Sequence, residues 1–277
     1  MIATISSAQE KKTFTLNDVI PGGDNYFNLV PKSMPGLQWW GDICVRTDIE
    51  NIKKIDTKSG KESILVTLEE VNEALKNGKM PYKLTGHIKP LRTLMAASLP
   101  WGDRNVITFT QYDDRTPGQK YMIWYDFSKK KIVNLFNLQG EGPTNFDFCK
   151  ENGYMAYTIG NDLYVAHEGD FSSMVNPKVT GNQQQEKDVV YGQAVHRNEF
   201  GIMKGTFCSP KGTYLAFYRM DQSMVTDYPQ VNTTARIAEL VPDKYPMAGM
   251  TSHKVTVGIY NVKDGKTIYL QAGDPTD

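Results

Sequence analysis

Cysteine and histidine are scarce in this sequence, which limits the metal chemistry available to it. The 277 residues include only three cysteines, Cys44, Cys149 and Cys208, and four histidines. No Cys-x-x-Cys pair or Cys/His cluster is present, so a structural zinc site is not expected, and neither is any other cofactor. Cys149 and Cys208 each follow a phenylalanine in a strand-like run. We therefore expect two buried free thiols and no disulfide.

Excess charge and long apolar segments are also lacking. The 31 basic and 31 acidic side chains give a formal net charge of zero, whereas nucleic-acid-binding proteins normally carry a basic excess. No apolar run approaches the roughly 20 residues that a membrane-spanning helix needs. We expect neither a nucleic-acid partner nor a membrane span.

Recognisable catalytic motifs are missing as well. The sequence contains no Gly-x-Ser-x-Gly elbow, Walker A loop, dinucleotide-binding fingerprint or His-Glu-x-x-His pair. A Ser-His-Asp triad assembled from distant residues remains open, but no serine stands in a recognisably activated setting. We therefore predict no catalytic residue in this chain.

Aromatic residues are abundant, and they occur in short alternating runs typical of strands. The chain has 15 Tyr, 11 Phe and 4 Trp, with glycine and proline scattered between the runs. Residues 12–36 are predicted to be loop-like. One helix is predicted near 67–77, with Thr67 as its N-cap, Glu70 completing a capping box and Gly78 just past its end. Its short length indicates an insertion between strands.

A loose internal repeat points to the architecture. Asn145–Tyr157 and Lys204–Phe217 both consist of an apolar strand, a tight glycine turn and an aromatic strand, with Phe148 and Phe207 59 residues apart. Strand–turn–strand units recurring at roughly 40–60 residues are typical of β-propeller blades. We predict an all-β fold in which residues 37–277 form a partial β-propeller of about four to five blades. A β-sandwich is the alternative.

The N-terminus suggests an export signal. Small residues before Gln9 resemble the end of a secretory signal peptide. We predict that residues 1–8 are a signal remnant and that residues 9–36 form an N-terminal extension. The protein would then be periplasmic or extracellular. An ordinary frayed terminus is the other interpretation.

Four consecutive polar residues form the candidate binding segment: His196, Arg197, Asn198 and Glu199. A carboxylate here could pair with the ammonium group of a ligand, and Arg197 could orient it or bind a carbonyl. The alternative is a solvated loop with a local Arg–Glu pair, which contributes little to stability.

The block Gly205–Phe217, preceded by Glu199–Phe200, resembles the propeller of dipeptidyl peptidase IV and its bacterial relatives in the prolyl oligopeptidase family. Tyr245–Gly249 matches that family's Tyr-Pro-x-Ala-Gly segment. Thr15–Ile20 and Leu37–Trp40 also fit, so the resemblance covers nearly the whole chain. It implies an eight-bladed propeller, of which this chain would be about half, capping an α/β-hydrolase domain.

The resemblance also implies a substrate-binding set. In the family, acidic propeller residues hold the free α-ammonium of a peptide, which is largely protonated at neutral pH. Family spacing places Arg197 and Asn198 where the usual glutamate pair stands, with Glu199 one place later. Either the loop differs by one residue and Glu199 serves alone, or the grip on the amine is weakened. His196 joins this set. Arg115, eleven residues before Asp126, is the candidate for the arginine that contacts the substrate carbonyl, and a surface-loop charge is the alternative.

Two functions follow as hypotheses. In the first, the chain is the N-terminal propeller portion of a dipeptidyl-peptidase-IV-like serine exopeptidase. It anchors peptides by their free N-terminus and gates access to a hydrolase domain that the chain does not contain. The expected partners are such peptides, the hydrolase domain and the remaining blades, on the same or another polypeptide; a homodimer is left open. In the second, the chain is a non-catalytic propeller that serves as a protein- or peptide-binding module.

Overall fold

The computed structural model describes residues 13–31, 33–80, 83–138, 142–149, 153–167, 178–180 and 187–271. The chain divides into two compact units, Met1–Pro35 and Gly36–Asp277. The boundaries predicted for the signal remnant, the extension and the propeller remain predictions. Residues 1–8 lie outside the described residues.

The described part of the first unit contains two one-turn helices, α1 (Leu16–Val19) and α2 (Tyr26–Leu29). The buried Asp18 organises them, because its carboxylate accepts a hydrogen bond from the Thr15 backbone N–H at 2.7 Å and one from the Asn25 amide at 3.0 Å. The prediction that residues 12–36 are loop-like is therefore wrong at these two turns. Each helix has only 4 residues, too few for a hydrophobic period to be recognised in the sequence.

The second unit consists mainly of short strands. In chain order they are β1 (Leu37–Trp40), β2 (Ile43–Thr47), β3 (Asn51–Ile55), β4 (Glu62–Thr67), β5 (Val106–Tyr112), β6 (Lys120–Asp126), β7 (Lys131–Asn137), β8 (Thr144–Cys149), β9 (Tyr154–Ile159), β10 (Asp162–His167), β11 (Lys178–Thr180), β12 (Val189–Tyr191), β13 (Thr206–Cys208), β14 (Tyr214–Asp221), β15 (Asp227–Tyr228), β16 (Asp243–Lys244), β17 (Lys254–Asn261) and β18 (Thr267–Tyr269).

These strands form successive antiparallel sheets. The first sheet is β1-β2-β3-β4, the second is β5-β6-β7, and the third has the order β11-β10-β9-β8. The fourth has the order β12-β14-β17-β18, with β13 also paired to β14. Strands β15 and β16 form a separate two-stranded sheet between β14 and β17. Successive meander sheets of this kind are the blades of a propeller. The predicted all-β, partial β-propeller fold is confirmed.

The core lies between consecutive sheets, because each pair shares one apolar cluster. One cluster joins the first and second sheets, another the second and third, and a third the third and fourth. The second and third sheets are therefore covered on both faces. Their central strands β6 and β9 are buried almost throughout, and accordingly they show apolar runs instead of polar–apolar alternation.

The predicted helix is confirmed as α3 (Leu68–Asn77), which lies between β4 and β5. The Thr67 side chain accepts a hydrogen bond from the Glu70 backbone N–H at 3.2 Å, and Gly78 is the C-cap. The buried residues of the helix, Val71, Ala74 and Leu75, pack into the cluster between the first and second sheets.

The prediction of two buried free thiols is wrong, since Cys149 and Cys208 form a disulfide with their Cα atoms 5.6 Å apart. Each is the last residue of the first strand in its half of the repeat, β8 and β13. Neighbouring sheets bring these two strands together, and Thr206 on β13 donates a hydrogen bond to Asp147 on β8 at 2.8 Å. Cys44 is the free cysteine.

Candidate functional site

The polar segment singled out in the sequence lies on a loop that interrupts the edge of the fourth sheet. Strands β12 and β13 both pair with β14, β12 opposite Arg219–Asp221 and β13 opposite Leu215–Phe217. The chain leaves the sheet between them, beside Tyr218. We call residues 192–205 the edge loop.

Backbone contacts close the base of the edge loop tightly. The Gly192 N–H donates to the Tyr218 carbonyl at 2.9 Å, and the Tyr218 N–H donates to the Gly205 carbonyl at 2.9 Å. A Cβ atom on Gly205 would stand only 2.0 Å from the Gln193 carbonyl oxygen. Only glycine therefore allows the two ends of the loop to approach this closely. The loop leaves a rigid sheet at a fixed point.

The tip of the edge loop is a 3-10 helix, His196–Gly201. His196, Asn198 and Phe200 have φ values of 52°, 63° and 56°. A left-handed backbone is uncommon for residues other than glycine and costs about 1–3 kcal/mol each, so it persists only where surrounding contacts impose it. Such strained residues cluster at binding sites. The tip is therefore a strained turn held by its environment.

The side chains of the tip differ in exposure. Asn198 and Glu199 are exposed, Phe200 is 84% exposed, and His196 is half-buried. Within the described part of the chain, the Glu199 carboxylate has no hydrogen-bond or ion-pair partner. The side chain of Arg197 lies outside the described residues. The tip thus presents an uncommitted carboxylate beside an exposed aromatic ring.

His253 contacts the tip from a distant part of the sequence. The ring centroid of His253 lies 4.5 Å from that of His196. Phe200 contacts the His196 ring edge-to-face, with 5.6 Å between the centroids. The Nε2 atom of His253 is buried without a hydrogen-bond partner in the described part of the chain. Burial first, and the neighbouring His196 second, lower the pKa of His253 below its ordinary value. His253 was not predicted as a site residue. Its position just after the Tyr245–Gly249 segment was the available signal.

Arg115 lies in the turn after β5. Its guanidinium contacts the buried carboxylate of Asp113 at 3.2 Å, and its backbone N–H donates to the same carboxylate at 2.7 Å. The hydrogen bonds from Arg115 lower the pKa of Asp113. The Arg115 side chain is 43% exposed. No contact among the described residues joins Arg115 to the tip, so the structure brings His196 and Glu199 onto one turn but does not connect Arg115 with them.

Two features are absent from the residues that the structure describes. These residues contain no group of three or more His, Cys, Asp or Glu side chains arranged to hold a metal ion. They also contain no helix with the length and apolarity needed to cross a membrane.

The chain matches a known protein family. The family described as the dipeptidyl peptidase IV (DPP IV) N-terminal region matches residues 102–277. This range includes the edge loop, Arg115 and His253.

Two solved structures show the same architecture. A candidate dipeptidyl aminopeptidase IV from Bacteroides ovatus ATCC 8483 is 43% identical, with a TM-score of 0.64 over 96% of this chain and 33% of that one. Porphyromonas gingivalis dipeptidyl peptidase 4 is 20% identical, with a TM-score of 0.53 over 96% of this chain and 36% of that one. The second likeness concerns the fold alone. The chain spans about a third of the length of these solved proteins.

Proposed function

Because this chain belongs to the dipeptidyl peptidase IV N-terminal region family, we propose that it is the N-terminal propeller portion of a dipeptidyl-peptidase-IV-like serine exopeptidase. In this proposal the chain binds the free N-terminus of a peptide. A hydrolase domain elsewhere in the complete enzyme cleaves the bond that follows the second residue, a proline or alanine. The 43% identity to the candidate dipeptidyl aminopeptidase IV supports it.

The observation that carries the proposal is the uncommitted Glu199 carboxylate on a turn fixed to the fourth sheet. A peptide's α-ammonium is largely protonated at neutral pH, and a carboxylate binds it through a charge-assisted hydrogen bond. Because the edge loop is pinned at Tyr218, the anchored amine would lie at a constant distance from the hydrolase. That constant distance would set how many residues precede the scissile bond.

The other tip residues have supporting roles in the proposal. Asn198 can donate or accept one hydrogen bond to the substrate backbone, and His196 underlies the turn. Arg197 keeps its proposed role of orienting the substrate. Arg115 would contact the substrate carbonyl, and the buried Asp113 would hold its guanidinium in place.

The location of the protein is also part of the proposal. Disulfides form and persist in oxidising compartments, so the Cys149–Cys208 bond supports a periplasmic or extracellular protein. The homodimer stays a prediction.

Replacing Glu199 with glutamine in the complete enzyme tests the anchor. Loss of a charge-assisted hydrogen bond worth about 1.5–3 kcal/mol should lower kcat/KM for an X-Pro-p-nitroanilide by roughly 10–100-fold. Glu50→Gln is the matched control, because Glu50 is exposed and its side chain has no partner in the described part of the chain. An unchanged kcat/KM for Glu199→Gln rejects Glu199 as the anchor. Binding of free-N-terminus peptides without hydrolysis would favour the non-catalytic binding module instead.

A further inference from the structure

We propose that His253 is a positioning residue that holds the His196–Gly201 turn, and with it the Glu199 carboxylate, in its peptide-binding conformation while the His253 imidazole is neutral. The inference rests on the function proposed above, because it assigns Glu199 to the peptide amine. It adds to the candidate site a residue that is far from the edge loop in sequence. It also predicts that peptide binding depends on pH.

The hydrogen bonds that hold the edge loop are concentrated at its base. Its base is fixed by the two backbone hydrogen bonds to Tyr218 and by the side chains of Gln193 and Lys204, which bond to Gly160 and Asp147. All of these contacts lie at the ends of the loop. The tip itself is contacted by His253, whose ring centroid lies 4.5 Å from that of His196.

The backbone of the tip is strained where His253 contacts it. His196 is the first of three non-glycine residues with positive φ in the tip, and such conformations require support from their surroundings. His253 packs directly on this residue. Removing the His253 ring would free His196 to return to an ordinary backbone conformation, and Glu199 would move with it.

Several charged groups lie near His253 and His196. Burial, and after it the neighbouring His196 on the loop, lower the pKa of His253. His253 directly precedes β17, whose first residue, Lys254, pairs in register with Asp221 of β14. The pKa of Asp221 is lowered chiefly by the backbone N–H of Ser223, with Lys254 and Arg219 contributing. That carboxylate is therefore bound to other groups. Glu199 is the charged side chain described on the tip.

The sign of the pH effect follows from the lowered pKa of His253. An imidazole whose pKa is lower in the folded protein than in the unfolded chain stabilises the fold above the ordinary histidine range. This stability is lost as the pH falls through that range, because the unfolded chain binds more protons. Protonation would place a charge on the buried His253 ring, beside His196 and with no hydrogen-bond partner for its Nε2 atom among the described residues. The tip should then loosen, and KM for the peptide should rise.

The kinetic test uses the complete enzyme and an X-Pro-p-nitroanilide between pH 5 and 8.5. His253→Ala should raise KM by about tenfold with kcat within about twofold, since only the position of a binding group changes. His253→Phe keeps an aromatic ring but cannot be protonated. It should retain the wild-type KM at pH 8 and lose the rise of KM at acid pH. His167→Ala is the matched control, because His167 is a half-buried histidine that contacts the Tyr154 ring in the third sheet. A wild-type KM profile in both His253 variants overturns the proposal.

Amide hydrogen exchange on this chain tests the positioning role of His253 separately from the proposed peptidase function. In His253→Ala, exchange of residues 196–202 should accelerate at least severalfold, while residues 154–159 of β9 keep the wild-type rate. If the complete enzyme hydrolyses no dipeptide substrate, the peptidase function fails, but the exchange result still decides the role of His253. Unchanged exchange in the tip shows that His253 does not position it.

Discussion

Cys149 on β8 and Cys208 on β13 connect two neighbouring sheets, with their Cα atoms 5.6 Å apart and a sequence separation of 59. The bond reinforces the packing of the third and fourth sheets, which also share the apolar cluster around Leu215 and Phe217. Because the edge loop leads directly into β13, the disulfide fixes one end of the candidate site.

Removing this disulfide should destabilise the protein measurably. Closing a loop of this size constrains the unfolded chain, and such bonds typically contribute about 2–4 kcal/mol. We expect the free energy of unfolding to fall by that amount in Cys149→Ser/Cys208→Ser, and in wild-type protein treated with dithiothreitol. The measurement is urea unfolding, in which the midpoint should move to a lower urea concentration. Cys44→Ser is the control, since Cys44 is free. Coincident unfolding curves for wild type and the double variant would contradict the prediction.

The buried Asp126 should make the second sheet sensitive to acid. Its carboxylate accepts hydrogen bonds from the Ser128 N–H at 2.9 Å, the Ser128 hydroxyl at 2.7 Å and the Lys129 N–H at 2.9 Å. Burial raises the pKa of Asp126, but bonding to Lys129 and Ser128 outweighs burial, so the pKa is lowered overall. A lowered carboxylate pKa contributes stability that is present above the unfolded-state value, near 3.9, and is lost as the pH falls below it.

The variant Asp126→Asn measures this contribution. We expect a loss of about 1–3 kcal/mol at pH 7, because the turn donors lose a charged acceptor. The difference from wild type should shrink as the pH falls towards 3, where the wild-type carboxyl becomes protonated. Asp264→Asn, in the corresponding turn between β17 and β18, is an exposed control. A difference that stays constant between pH 7 and pH 3 would show that the charge of Asp126 is irrelevant.

Much of the fold could be predicted from the sequence, because its signals are local. The aromatic runs, glycine turns and the capping of α3 depend on neighbouring residues, and the repeat indicated blades. The disulfide was missed although both cysteines occupy the same place in the repeat. Sequence spacing does not show that β8 and β13 approach each other. His253 was missed for the same reason, because its contact with His196 joins residues that are far apart in the sequence.

Arg115 should act through its contact with Asp113 if it binds the substrate carbonyl. In the complete enzyme we expect Arg115→Ala to reduce kcat/KM for X-Pro substrates by about tenfold, the effect of one charged hydrogen bond. Asp113→Asn should cause a smaller loss in the same direction, because the guanidinium loses its charged partner but remains present. Arg46→Ala, which breaks the ion pair with Glu62 in the first sheet, should leave kcat/KM unchanged. Equal activity of Arg115→Ala and wild type would assign Arg115 to the surface-charge alternative.

Gly205 offers a test of the edge loop, because it lies at the base of the loop whereas Glu199 lies at the tip. A Cβ atom at this position would stand 2.0 Å from the Gln193 carbonyl oxygen, so Gly205→Ala must push the two ends of the loop apart. The hydrogen bond from the Tyr218 N–H to the Gly205 carbonyl would weaken, and the tip would leave its fixed position. We expect KM for X-Pro substrates to rise by about tenfold, with a smaller change in kcat, because the anchor moves while the hydrolase is untouched. Gly249→Ala is the control, since it strains the backbone through a positive φ of 76° but its Cβ meets no atom within 4 Å. If both variants show the same KM, the close approach at the loop base does not position the amine anchor.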